Sequence, residues 1–269
     1  MEEAECYPVS RAQKRMFLTS TASGKESILY NMPGGIILEG KVNEEKIQQC
    51  LNKLIDRHES LRTYFEVKDG NVVQKIEEKI ELKLEKIDAR YDEIERIFNE
   101  FVQPFDLSKA PLFRAKLIKY EKEKSILFVD MHHIISDGTS LSIFTEEMIK
   151  LYNDEELPQL KITYKDYATY ENNQLENGKL KESENYWLKK FAGEIPVLDM
   201  PIKSERPAIQ SYEGKKIYDY IDEKMKREIE KKAEELKVTP YMILLSAYYI
   251  LLSKYTSGED IIIGTSIVG

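Results

Sequence analysis

Residues 125–133 read SILFVDMHH, almost continuously apolar until a pair of histidines. A strand of that composition is buried on both faces, so it belongs inside a sheet covered on each side. Just before it, Phe113, Ala115 and Leu117 alternate with Arg114 and Lys116, the period of a half-buried strand. A charged turn at 121–124 separates the two. After the histidines come a polar turn, 136–140, and a helical pattern with Leu141, Phe144, Met148 and Leu151 on one side. The order strand, polar turn, helix puts the histidines where a buried strand ends.

The rest of the first half supplies the partners. A helix is expected over 10–19 and a strand over 35–38. From Asn43, a candidate cap, Ile47, Cys50, Leu51, Leu54 and Ile55 recur at helical spacing. Residues 62–67 and 72–76 read as strands joined through an Asp69-Gly70 turn. Ile94, Ile97, Phe98 and Phe101 mark another amphipathic helix. Beyond the charged connection 153–158, helices are expected over 164–177, ended by Gly178, and over 182–191 around Trp187. Residues 193–212, with Pro196, Pro201 and Pro207, read as a crossover. A strand over 215–221, a helix over 222–236 and a strand over 260–268 follow. Thr239-Pro240 is a cap followed by proline at the first helical position. It launches the apolar run 241–252, read as a buried core helix and too short to span a bilayer. The sequence stops inside the last apolar strand, which reads as a fragment of a longer domain.

Composition narrows the classes. The 269 residues carry 40 Lys+Arg against 48 Asp+Glu, net −8, which argues against a broad nucleic-acid-binding surface. A hydrophobic fraction of 42% is enough to build cores and excludes overall disorder. Length gives a prior of about two domains. Cys6 and Cys50 have no CxxC spacing, which argues against a disulfide framework or thiolate zinc site and for a reducing, cytoplasmic setting. The acidic start MEEAECYPVS is not a secretory signal, and no membrane association is expected.

The chain has three histidines, His58, His132 and His133. On a strand the adjacent pair points to opposite faces. One imidazole then enters a cleft, and a neutral imidazole there accepts a proton near neutral pH. Asp137 can fix the turn or pair with a cation, and Gly138 lets a backbone N–H approach a ligand. The plainer reading is a hydrogen-bonded strand-end histidine beside an ordinary Asp-Gly turn, and the residues alone leave both open. Diverging histidines do not converge on zinc, so no metal is expected. Neither a GxSxG elbow nor a GxxxxGK[ST] loop occurs.

MHHIISDGTS, residues 131–140, resembles the HHxxxDG signature of condensation domains in non-ribosomal peptide synthetases. SRAQKRMF (10–17), RHESLRTYF (57–65), YKDYATY (164–170) and IIGTSIVG (262–269) resemble flanking motifs of that family, in order. The resemblance implies an α/β fold similar to chloramphenicol acetyltransferase, an α+β two-layer sandwich in each of two lobes, with a tunnel between them. It divides the chain into a first lobe at 1–163, connecting helices and crossover at 164–214, and a partial second lobe at 215–269. Donor and acceptor peptidyl carrier proteins, beside an adenylation domain, would present phosphopantetheine thioesters, no cofactor being bound directly. The acceptor amine would attack the donor thioester. His133 is then the tunnel-facing catalytic residue, with His132, Asp137 and Gly138 around it, and Arg62 pairs with Asp137 as structural support. HHIISDG lacks the paired aspartates of cyclising relatives, and the segments YPVSRAQKRMF and YNMPG look most like members joining two L-configured residues. Two rivals remain: a stand-alone acyltransferase of the same superfamily using coenzyme A, and a non-catalytic carrier-docking module. Since a tunnel needs both walls, the isolated chain is expected to be inactive.

Overall fold

The computed structural model describes residues 5–24, 27–201, 214–215 and 217–265. In chain order the elements are β1 (Tyr7–Pro8), α1 (Arg11–Ser23), β2 (Asn31–Glu39), α2 (Glu44–Arg57), β3 (Thr63–Lys68), β4 (Asn71–Ile76), β5 (Glu85–Asp88) and α3 (Ile94–Phe101). Then come β6 (Phe113–Glu121), β7 (Lys124–His132), α4 (Gly138–Tyr152), α5 (Tyr164–Glu176), α6 (Lys181–Lys190), α7 (Glu223–Leu236) and α8 (Pro240–Thr256). They fall into two compact units, one running to Lys181 and one from Glu182 onward.

The first unit is organised by a mixed four-stranded sheet in the order β2-β7-β6-β5, antiparallel except for the β5–β6 pair. β7 is an inner strand, and alternate side chains go to different cores. Leu127, Val129 and Met131 pack with Ile47, Leu51 and Leu54 of α2 and Phe144 and Met148 of α4. Phe128 faces the other way, toward Ile97 and Phe101 of α3. Cover on both faces explains the continuous apolar run. All five apolar positions expected on α2 are buried, and Asn43 caps that helix by accepting from Lys46 N–H. A second sheet, β1-β4-β3, carries the expected hairpin. Asp69 and Gly70 both have positive φ (50° and 78°) between partners Lys68 and Asn71, the two-residue turn whose twist matches the strands.

The second unit departs from the sequence expectation. In the segment expected to be a strand at 215–221, the described residues carry no strand, and Ile217, Tyr218 and Tyr220 are exposed. The described part of 260–268, residues 260–265, is likewise not a strand, while 266–268 lie outside the described residues. Of the crossover 193–212, residues 202–212 also lie outside them. A strand exists only where its ladder is paired, and among the described residues this unit offers no partner strand. The run 241–252 is helical as expected but is not a core helix. Tyr241, Met242, Leu244, Tyr248, Ile250 and Leu251 are about half exposed, and only Leu252 is buried. The cause is that α7, meeting α8 at 101°, leaves most of its circumference uncovered. Among the described residues no single helix is long and apolar enough to cross a membrane.

Candidate active site

β7 delivers the two histidines under backbone control from both sides. His132 N–H donates to Leu112 O at 3.0 Å, and His133 N–H donates to Tyr30 O at 2.7 Å, carrying the β2 ladder one residue further. The rings then diverge in environment. His132 is 4% exposed. Its ring lies against Tyr30 and Phe105, with centroids 5.9 and 6.2 Å away, and its Nδ1 accepts from Ile134 N–H at 3.1 Å. Burial, helped by the neighbouring His133, pushes its pKa down to about 4. That ring is neutral at physiological pH and shut away from any substrate. His133 is half-buried. Its Nδ1 is enclosed and has no hydrogen-bond partner among the described residues, which leaves Nε2 as the ring's other polar atom.

The turn after the histidines is fastened to itself. Ile135 N–H and Ser136 Oγ both donate to His132 O, at 3.1 and 3.2 Å. Asp137 is the N-cap of α4: its Oδ1 accepts from Ser140 N–H and Ser140 Oγ, each at 2.7 Å, and its own N–H donates to Ser140 Oγ at 3.1 Å. Burial alone would raise the Asp137 carboxyl, but the Ser140 bonds and the nearby His133 outweigh it and hold the group below the usual carboxylate range. An anion at this helix N-terminus also suits the dipole. Gly138, the first residue of α4, is exposed, and a Cβ built there meets no atom within 4 Å. The fold itself does not require glycine at that position. What the missing side chain leaves is open space beside the motif.

One expected contact is not formed. Arg62 does not pair with Asp137. Its guanidinium donates to the carbonyls of Ile55 (3.0 Å), Asp56 (3.4 Å), Glu77 and Glu78 (3.0 Å). It therefore ties the last turn of α2 to the end of β4, as a cation at a helix C-terminus does. With no shared bond, the two sites should act independently. Urea unfolding of Arg62→Ala, Asp137→Ala and the double variant is expected to give additive losses, within about 0.5 kcal/mol. A coupling of about 3 kcal/mol or more, as for a broken buried ion pair, would restore the pairing.

Three features of the site escaped the sequence reading. Gln13 of α1 is buried and its Nε2 donates to Ile134 O, within the histidine turn, at 3.3 Å. The Ser-x-x-Gln spacing of residues 10–13 was the available signal. Glu147 of α4 holds both Arg57 (3.1 Å) and His58 (2.6 Å), joining α4 to the 57–65 motif. On the His132 side of the sheet, fully buried Asp130 accepts from Asn31 Nδ2 at 2.7 Å and lies 3.7 Å from Arg114, and burial raises its pKa. A carboxylate in an otherwise apolar strand was the clue there. The 164–170 motif packs onto the same unit: Tyr164 OH is 3.0 Å from Ser10 Oγ, and Lys165 pairs with Glu59 at 2.8 Å. Among the described residues no group of three or more histidines, cysteines or carboxylates is placed to hold a metal.

A half-buried imidazole on a strand end, beside a turn fixed by an N-capping aspartate, is chemically suited to proton transfer. The sequence profile of the condensation domain matches residues 3–269, and the chain belongs to the condensation-domain family. It is 44% identical over 263 residues to gramicidin S synthase 2 of Aneurinibacillus migulanus, covering 98% of this chain and 6% of that one. It is 43% identical over 269 residues to tyrocidine synthase 3 of Brevibacillus parabrevis, covering 100% and 4%. The chain thus spans only a small part of these relatives. Among solved structures, the teicoplanin X-domain aligns with a TM-score of 0.82 at 21% identity, covering 96% of this chain and 59% of that one. The condensation domain of the monacolin K polyketide synthase MokA aligns at 0.80 and 20%, covering 94% and 60%. The fold is therefore the chloramphenicol acetyltransferase-like α/β fold of condensation domains.

Proposed function

We propose that this chain is the amide-forming condensation domain of a non-ribosomal peptide synthetase. The observation that carries the reading is the contrast between the histidines: His132 is buried and neutral, and His133 is only half-buried, at the edge of a turn fixed by Asp137. The donor is an acyl or peptidyl thioester and the acceptor an aminoacyl amine, each on the phosphopantetheine arm of a carrier protein. The amine nitrogen attacks the thioester carbon, the C–N bond forms and the C–S bond breaks. The nitrogen loses one proton and the leaving thiolate gains one. His133 Nε2 holds the amine in line and carries that proton, so no covalent enzyme intermediate is needed. Synthetases of the kind this chain resembles work as multimodular chains, so the partners are carrier domains and an adjacent adenylation domain, in a reducing cytoplasm.

A coenzyme A-dependent acyltransferase would share the imidazole and the fold. The two readings separate in one assay on the synthetase that carries this domain. The donor acyl group is offered either on its carrier protein or on coenzyme A, with the acceptor carrier loaded in both cases. Amide product is expected from the carrier-borne donor, with at least a tenfold lower rate from coenzyme A, because the carrier supplies a docked, oriented arm. Equal rates from both donors would overturn the carrier-dependent reading.

A further inference from the structure

We infer that Gln13 is a positioning residue that holds the histidine turn in place through the Ile134 carbonyl. Gln13 is the third residue of α1 and is 2% exposed. Its Oε1 accepts from Ser10 N–H at 3.0 Å, while its own N–H donates to Ser10 Oγ at 3.1 Å, closing a capping box. Ser10 N–H can only donate, so the amide orientation is settled: Oε1 faces Ser10 and Nε2 faces outward. What Nε2 meets is Ile134 O, 3.3 Å away, an atom that can only accept. The turn uses its other polar groups internally, with Ile134 N–H on His132 Nδ1 and Ile135 N–H on His132 O. Among the described hydrogen bonds the Ile134 carbonyl has no other donor, and Ile134 is itself buried. Without Gln13 that carbonyl stays unpaired inside the protein. The Ile134 carbonyl lies one peptide unit beyond His133, so the bond from Gln13 restrains the chain immediately after the residue that carries the ring.

A capping box accepts glutamate as readily as glutamine. The helix cap alone therefore explains neither the amide nor its second bond. A carboxylate in place of Nε2 would face the carbonyl with two acceptors opposed. The consequence for chemistry rests on the reading of His133 as the reacting imidazole. The bond itself does not.

The experiment uses the 269-residue chain and NMR hydrogen exchange, comparing it with Gln13→Glu. The amides of Ile134 and Ile135 report on the turn, and that of Lys14, bonded to Ser10 O, reports on the cap. In Gln13→Glu near neutral pH the turn amides are expected to lose about tenfold in protection. The His133 ring resonances should move with them, and Lys14 should keep its protection. As pH falls and the new carboxyl takes up a proton, its O–H can donate to Ile134 O, and protection at the turn should return. The other ionisable groups here are the Glu59–Lys165 pair and Tyr164 at the small cavity, Arg11, Lys14 and Arg15 on α1 itself, and His132 and Asp137 flanking the turn, His132 giving up its bond from Ile134 N–H as it takes up a proton toward about pH 4. They are common to both proteins, so recovery is read as the protection of Gln13→Glu relative to the parent at each pH. Unchanged turn protection in Gln13→Glu overturns the inference. So does equal loosening of turn and cap without recovery at low pH, which would make Gln13 a helix cap only. Gln13→Ala places no charge in the cavity and should loosen turn and cap together, and full protection at Ile134 and Ile135 in that variant also overturns it. None of these readouts involves amide synthesis, so failure of the condensation reading in the donor assay would be seen separately.

Discussion

Replacing His133 with alanine in the synthetase that carries this domain is expected to slow single-turnover amide formation by about 10²–10⁴-fold, the usual worth of a positioned proton-transfer group. The expectation follows from where the proton can go. The attacking amine must release one, and the neighbouring imidazole cannot take it, because His132 is buried and its Nδ1 is already occupied by Ile134 N–H. Asp137 cannot take it readily either, since Ser140 holds its carboxyl in the ionised form. The residual rate should still exceed that of the free thioester and amine, because two carriers held in one domain supply proximity without His133. Loading of both carriers should be untouched, since that step is made elsewhere. A His133→Ala enzyme within about threefold of the parent rate would remove the imidazole from the mechanism.

His132 should show itself in stability. In the unfolded chain its pKa lies near the ordinary 6.5, and in the fold burial and His133 push it down to about 4. Between those two values the unfolded chain binds a proton that the folded chain refuses. Stability is therefore whole above the unfolded value and falls as pH drops through the window toward the folded one. The full difference corresponds to about 3 kcal/mol. Asp130 acts with the opposite sign, because burial raises its pKa and its contribution worsens as pH rises. A direct pH titration would mix the two. His132→Asn separates them, since an asparagine Oδ1 can stand near the place of Nδ1 and accept from Ile134 N–H without titrating. Urea unfolding of both chains at about pH 7 and about pH 4 is expected to show the gap between them shrinking by about 3 kcal/mol at the acid end. A constant gap would mean that His132 is not kept neutral by the fold.

These expectations began in the sequence to different degrees. Periodicity located α2, the β3–β4 hairpin, β6 and β7 because the residues that set the pattern, such as Leu51, Leu54, Phe113 and Leu127, do face a core. The divergence of His132 and His133 was legible for the same reason: alternation is a property of the strand and needs no knowledge of the partner. The failures lie where structure depends on something the pattern does not contain. Apolar spacing over 215–221 and 241–252 reports which side chains call for cover. It does not say that cover is present, and in the described residues of the second unit it is not. Arg62 shows a related limit. A guanidinium has five donors and can be satisfied by any nearby acceptors, and the α2 terminus offered carbonyls closer than Asp137. The bonds from Gln13 to Ile134 and from His58 to Glu147 join residues 121 and 89 positions apart, which no local pattern encodes.

The most direct test of the account is the rate of single-turnover amide formation, measured on the parent synthetase and on its His132→Asn and His133→Ala forms. Protein concentration, pH and carrier loading are held constant throughout. His132→Asn should stay within about threefold of the parent rate, and His133→Ala should fall by about 10²–10⁴-fold. A His132→Asn rate that falls as far as His133→Ala, or a His133→Ala rate that matches the parent, would place the working imidazole on the wrong side of the sheet and contradict the mechanism.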